Sequence, residues 1–210
     1  MMAVSGLYFV FFVLFHMYGN LKILAGREAF DEYAHHLRTM FQPILPYEGF
    51  LWLYRLTVLV ALVAHVYAAF VLWSRARGAR SQRYAVQKAA AASLSSKWMR
   101  WGGVALLLFI AFHLAQFTLL WVNVGGPQAT PAERVIVGFQ HWWLTLIYVI
   151  ALAALAMHLR HGVWSASQTL GLTNTARSRA VANTAGLAIS AIVVIGFLIP
   201  PLLIQFGAIK

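Results

Sequence analysis

Four histidines, His16, His65, His113 and His158, each sit well inside a long apolar run of this 210-residue chain. An ionisable side chain is costly there, so each one marks a function by default. A structural hydrogen bond to a neighbouring helix accounts well enough for one buried histidine. It accounts poorly for four that fall one to each of the first four apolar runs. Two neutral imidazoles facing each other in an apolar interior have three uses: a mutual hydrogen bond, a bare metal ion, or axial ligation of a haem iron. A bare divalent ion would keep its charge uncompensated, because no apolar run contains Asp or Glu. Haem brings its own compensating macrocycle and needs only two axial nitrogens. These residue types therefore point to haem.

The elements that position them are legible from composition. The chain is 61% hydrophobic and only 10% charged, whereas a soluble domain carries roughly 25% charged residues. Cysteine is absent, which excludes a disulfide scaffold, thiolate ligands and an iron–sulfur cluster held by this chain alone. The net charge of +11 resides in loops between apolar blocks, a membrane pattern and not a nucleic-acid one. A spanning helix needs about 20 apolar residues. Five stretches qualify, Val4 to Leu24, Leu51 to Trp73, Trp101 to Asn123, Trp142 to Ser165 and Asn183 to Ile204, with tryptophans clustered at their ends. The first lacks a charged n-region and a compact cleavage site, so it is expected as a retained helix. Pro200-Pro201 is expected to end or break the fifth. The expectation is an all-α membrane protein, a single domain over residues 1–210, with two haems inside the bundle.

Loop charge orients it. After the second span come Arg75, Arg77, Arg80, Arg83, Lys88, Lys97 and Arg100, and after the fourth Arg177 and Arg179, with no acid in either segment. All five carboxylates, Glu28, Asp31, Glu32, Glu48 and Glu133, lie in the other two loops. Excess Lys and Arg marks the cytoplasmic side, which puts the N-terminus inside and the C-terminus outside. Residues 82–96, rich in Ala and Ser, read as a cytoplasmic linker, and no internal repeat is evident.

Depth then pairs the histidines. His16 and His113 lie roughly 18–20 Å above the cytoplasmic ends of their helices, and His65 and His158 roughly 10–12 Å above theirs. His16 is therefore expected opposite His113 in an outer layer, and His65 opposite His158 in an inner one. Ala61 and Ala69 flank His65 by one turn, as Ala154 and Gly162 flank His158, leaving smooth walls for a flat macrocycle. Phe12, Phe109 and Phe117 surround the outer pair, with Gly19 giving local relief. Haem propionates need cations near the interfaces. Arg55, just inside the second span, is the leading candidate; Lys22 on the outer side and Lys97, Arg100 and Arg160 on the inner side are others. His161 rivals His158 for the inner pair, although it is nearer the interface and points about 60° away around the helix. His35 and His36 lie in the outer loop and His141 at a helix mouth.

These residues resemble the cytochrome b anchor of succinate dehydrogenase or fumarate reductase (succinate:quinone oxidoreductase), in its single-subunit, five-helix, dihaem form. The resemblance covers nearly the whole chain. It rests on Gly6-Leu7 and His16-Met17-Tyr18-Gly19-Asn20, on Tyr33-Ala34-His35-His36-Leu37-Arg38, and on Trp52-Leu53-Tyr54-Arg55 leading to His65. Phe112-His113-Leu114, His158-Leu159-Arg160-His161-Gly162-Val163-Trp164-Ser165 and Gln168-Thr169-Leu170-Gly171 complete it. It implies haem ligation by His16 with His113 and by His65 with His158, the last of these being favoured over His161 by the following Gly162, Val163 and Trp164.

The resemblance further implies electron transfer in respiratory complex II, in the cell inner (cytoplasmic) membrane. A flavoprotein subunit oxidises succinate, an iron–sulfur subunit docked on the basic cytoplasmic face relays electrons, and the two haem b groups pass them to a membrane quinone, expected to be menaquinone. The chain would be an enzyme subunit without succinate chemistry of its own, in contact with lipid but not nucleic acid, and able to join a higher oligomer. Tyr18, His36, Tyr47, Glu48 and Arg55 are candidates for an outer quinone site, and Trp98, Trp164, Ser165 and Gln168 for an inner one. The acid that some fumarate reductases carry near the fourth ligand has no counterpart, since Ala156 and Met157 precede His158. Rival expectations are the anchor of another respiratory dehydrogenase, a stand-alone transmembrane electron carrier, and a transporter relaying protons through histidines.

Overall fold

The computed structural model describes residues 1–78 and 90–210, with the side chains of Arg77 and of residues 90–97 left aside. Among the described residues the chain is all-helical: α1 (Met2–Leu21), α2 (Arg27–Thr39), α3 (Gly49–Gly78), α4 (Ala90–Phe117), α5 (Pro131–Phe139), α6 (Trp142–Thr169) and α7 (Ala176–Gln205). Five of them, α1, α3, α4, α6 and α7, are long and apolar enough to cross a membrane. Large apolar side chains such as Phe15, Val60, Leu108 and Ile195 stand exposed along them, as lipid-facing helices require. Of the expected linker, residues 82–89 lie outside the described residues, together with Arg80, Arg83 and Lys88; from Ala90 the chain is already α4.

The two segments that carry the acids fold into short helices at the end of the bundle opposite Met1. Thr130 and Glu133 close a capping box around α5, with Pro131 in its first turn. Both supply acceptors to backbone N–H groups that a helix start leaves unpaired. Asp31 on α2 accepts the N–H of Ala132, at 2.9 Å, and ties the two short helices together. Beneath them Ile23, Ile136, Phe139, Leu144 and Ile204 form a fully apolar core.

The long helices pack in the order α3, α1, α6, α4, and α7 lies against both α1 and α6. The buried face of α7 carries Ala182, Gly186, Ser190, Val193, Gly196 and Pro200, small residues that let helix backbones approach closely in lipid. Gly186 faces the carbonyl of Arg160, 2.8 Å from where a Cβ would stand, and Gly196 receives the side chain of Met17. Ser190 donates its hydroxyl to the carbonyl of Ala156 at 2.8 Å. α3 and α4 meet at the end where α1 begins, with Trp73 and Trp101 rings 6.4 Å apart and the Arg100 guanidinium 5.7 Å from the Trp73 ring.

Two expectations are corrected. The helix of the third apolar stretch ends at Phe117 and not at Asn123. Leu120 takes a left-handed φ of 57°, and the N–H groups of Leu119 and Trp121 turn back to the carbonyls of Leu114 and Ala115, which caps the helix early. Pro200 and Pro201 do not end α7, which runs to Gln205. Proline keeps a helical φ, both rings are buried, and the last turn is anchored by Ile204 in the core and by the Thr145 hydroxyl donated to Gln205 Oε1 at 3.1 Å.

Candidate functional site: two imidazole pairs

The helices bring the four histidines together two by two. His16 on α1 and His113 on α4 stand with ring centroids 5.7 Å apart and planes at 85°. His65 on α3 and His158 on α6 stand 6.1 Å apart at 58°. Each pair joins helices that are not packing neighbours, so each spans the middle of the bundle. Below, the lower end is the one where α1 begins. His65 and His158 form the lower pair, His16 and His113 the upper.

Glycines register the levels. A Cβ on Gly6 of α1 would stand 3.5 Å from the His65 ring, and one on Gly103 of α4 would stand 3.6 Å from the His158 ring. Gly6 precedes His16 by ten residues, and Gly103 precedes His113 by the same ten. At 1.5 Å per residue the two levels are about 15 Å apart on both helices. At each level the helices without a paired histidine supply something small or hydroxylated. The lower pair has Gly6 and Gly103 beside it; the upper has Tyr148 of α6, ten residues before His158.

The upper pair is walled by aromatic rings. Phe12 stacks on His16 at 5.4 Å and 9°, Phe197 lies 5.7 Å from it, and Phe109 and Phe117 flank His113 at 5.8 and 5.4 Å. Around the lower pair Phe9 lies edge-on to His65 at 5.7 Å. One flanking small residue acts differently from expectation. Gly19 makes room for the ring of Tyr33, 2.8 Å from a Cβ built there, and not for the upper pair. Gly162 faces open space.

Hydrogen bonds reach two of the four imidazoles. His113 Nδ1 lies 3.0 Å from the Tyr148 hydroxyl, which donates to Gln116 Oε1 at 2.9 Å. His65 Nδ1 lies 3.1 Å from the hydroxyl of Ser5, which lies 3.1 and 3.2 Å from the carbonyls of Met1 and Met2. Ser5 and Gln116 are buried. His158 Nδ1, by contrast, is buried without a hydrogen-bond partner. Sequence reasoning gave no role to Ser5, Gly103, Gln116 or Tyr148 and used Gly6 only as part of a motif; the shared ten-residue spacing was the signal that could have placed Gly6, Gly103 and Tyr148 at their levels.

The remaining candidates are scattered. Arg55 has its guanidinium 4.9 Å from the Trp52 ring and Nη1 3.9 Å from Glu48, which also accepts from Arg38 Nε at 2.9 Å. It is therefore part of a surface ion-pair cluster. Lys22 lies over the Tyr18 ring at 4.7 Å, and Arg160 is exposed, as are Tyr18, Tyr47, His35, His36, Trp98 and Gln168. Trp164 and Ser165 are half-buried, and His141 Nδ1–H donates to the Val137 carbonyl at 3.0 Å. The phenol of Tyr33 is raised above its ordinary range by burial and by Tyr18, against a smaller opposing effect of Lys22. The ring facing His65 belongs to His158, three residues before His161.

Chemically, two nitrogens per level suit an axially ligated iron. Imidazoles sharing a metal at about 2 Å each have ring centres about 6 Å apart, which both pairs match. Among the described residues no three His, Cys, Asp or Glu side chains gather as a bare ion would require. The buried Nδ1 of His158 has no hydrogen-bond partner, so nothing fixes its tautomer and either ring nitrogen can present a lone pair to a metal. Haem therefore fits these residues. In comparisons with protein-family models, with curated proteins and with solved structures, none matches this chain.

Proposed function

We propose that this chain is the dihaem cytochrome b anchor of a succinate:quinone oxidoreductase, with His16 and His113 holding one haem b and His65 and His158 the other. The observation that carries this reading is the pair of facing imidazoles at each of two levels, registered ten residues apart on α1 and α4. Haem b bound there supplies one-electron carriage through the membrane interior. The chain's own part is to hold four neutral imidazoles in fixed pairs, to wall the upper one with Phe12, Phe109, Phe117 and Phe197, and to keep water out.

The lower end is the cytoplasmic one in this reading. Arg75, Arg100, Arg177 and Arg179 cluster there, and every carboxylate lies toward the opposite end. An iron–sulfur subunit docks on that basic face, beside the lower pair, and a flavoprotein subunit supplies electrons to it. A membrane quinone, menaquinone by the resemblance, takes the electrons.

The test is purification from membranes with all co-purifying subunits intact. Expected are two low-spin haems per chain, a flavoprotein, an iron–sulfur protein and succinate-dependent quinone reduction. Haem-free protein with full activity would remove the haem assignment. Two haems with a different dehydrogenase, or with none, would leave the cytochrome and refute the succinate partner.

A further inference from the structure

Each level has one imidazole held by a hydroxyl that has another acceptor within reach of its own proton. The Tyr148 hydroxyl donates to Gln116 Oε1, so its oxygen faces His113 Nδ1 as an acceptor. The Ser5 hydroxyl has one proton and lies 3.1 and 3.2 Å from the carbonyls of Met1 and Met2; given to either of them, that proton leaves the oxygen facing His65 Nδ1 as an acceptor. An acceptor at Nδ1 demands the proton there and leaves Nε2 with the free lone pair. Their partners lack this restraint: His16 is set by stacking on Phe12, and His158 Nδ1 has no partner.

We infer that Tyr148, braced by Gln116, and Ser5 are positioning residues that fix one axial ligand of each pair as the Nδ1–H tautomer and raise its basicity, the other ligand being left to packing. This rests on the proposed haem ligation. Three features argue for function beyond packing. The two devices use different residues on different helices to the same end. Each brings its acceptor from a helix that carries no ligand at that level. And Gln116 is a buried amide at 1% exposure, in lipid-surrounded protein where an apolar residue would be less costly. A more basic imidazole stabilises ferric over ferrous iron, and loss of such a partner costs about 10- to 100-fold in metal-site affinity or activity.

The experiment uses the intact complex carrying Ser5→Ala, Ser5→Thr, Tyr148→Phe or Gln116→Leu, read by redox titration and by haem retention on dilution into detergent. Ser5→Ala is expected to raise the midpoint potential of the lower haem alone and to weaken its retention about 10-fold or more, with Ser5→Thr restoring both. Tyr148→Phe and Gln116→Leu are expected to do the same to the upper haem alone. Unchanged potentials and retention in folded variants would overturn the inference while leaving haem ligation standing. A wild-type complex without haem would overturn the ligation itself. Should Tyr148→Phe fail to assemble, Ser5→Ala at the end of α1 still decides the matter.

Discussion

Substituting Gly103 tests the lower level without touching a histidine. A Cβ at this position would stand 3.6 Å from His158 Cε1 and 3.9 Å from Nδ1. Alanine therefore adds a methyl at ordinary contact distance, and it recovers roughly 0.5–1 kcal/mol of backbone entropy lost to glycine. Leucine adds three more carbons beyond a Cβ already touching the ring, so the imidazole must turn or the gap beside it must fill. Overpacking of this kind costs about 1–3 kcal/mol, which at 1.4 kcal/mol per decade is roughly a 5- to 150-fold loss of lower-haem affinity. The upper pair lies about 15 Å away along α4 and is out of reach of the new side chain. The assay is the haem-to-chain ratio and redox titration of the purified complex. Gly103→Ala should keep both haems, and Gly103→Leu should lose the lower one only. A Gly103→Leu protein with both haems at unaltered potentials, or one missing the upper haem, would refute the placement of Gly103 at the lower level.

Removing ligands should be equally selective: His65→Ala or His158→Ala abolishes the lower haem, and His16→Ala or His113→Ala the upper, by absorbance spectra. His161→Ala should spare both, and a lost lower haem there, with His158→Ala retaining it, would transfer the ligand role. Gly186→Leu drives its side chain into the Arg160 carbonyl, where a Cβ already stands at 2.8 Å; since that is backbone, thermal unfolding of the folded variant should fall by several degrees with both haems loosened together. A spectrophotometric pH titration should place the Tyr33 phenol above the free tyrosine value, by comparison with Tyr33→Phe. Its phenolate is disfavoured in the fold, so the signal that disappears in the variant is the one that titrates late.

Depth along a helix is a one-dimensional quantity, which is why the spans and the histidine pairing can be read from spacing alone. Apolar length and loop charge say where each helix starts, and 1.5 Å per residue does the rest. What escaped depends on neighbours in space. Gly19 looks like relief for the imidazole one turn away, but the ring of Tyr33, from a different helix, takes the room. Pro200-Pro201 reads as a break because two backbone bonds are lost, and only the anchoring of Ile204 and Gln205 shows why one more turn survives. The hydrophobicity of Leu119 to Val122 suggests further helix, yet a single left-handed residue at Leu120 ends it. Tyr148 is one aromatic among many until its hydroxyl is seen between His113 and Gln116.

The spacing also shows a sparse internal equivalence that residue-level comparison of the sequence misses. α1 and α4 share glycine at the lower level and histidine ten residues on, and both run in the same direction. α3 and α6 both carry a tyrosine toward the upper level and a histidine below: Tyr54, whose ring lies 6.1 Å from Phe12, with His65, and Tyr148 with His158. The first two spans and the next two thus place their histidines alike, one at each level. In the proposed haem ligation both halves are needed, since each brings one imidazole to each level. α7, which carries no histidine, packs on α1 and α6, one from each half. Its row of small residues lets it pack closely against both.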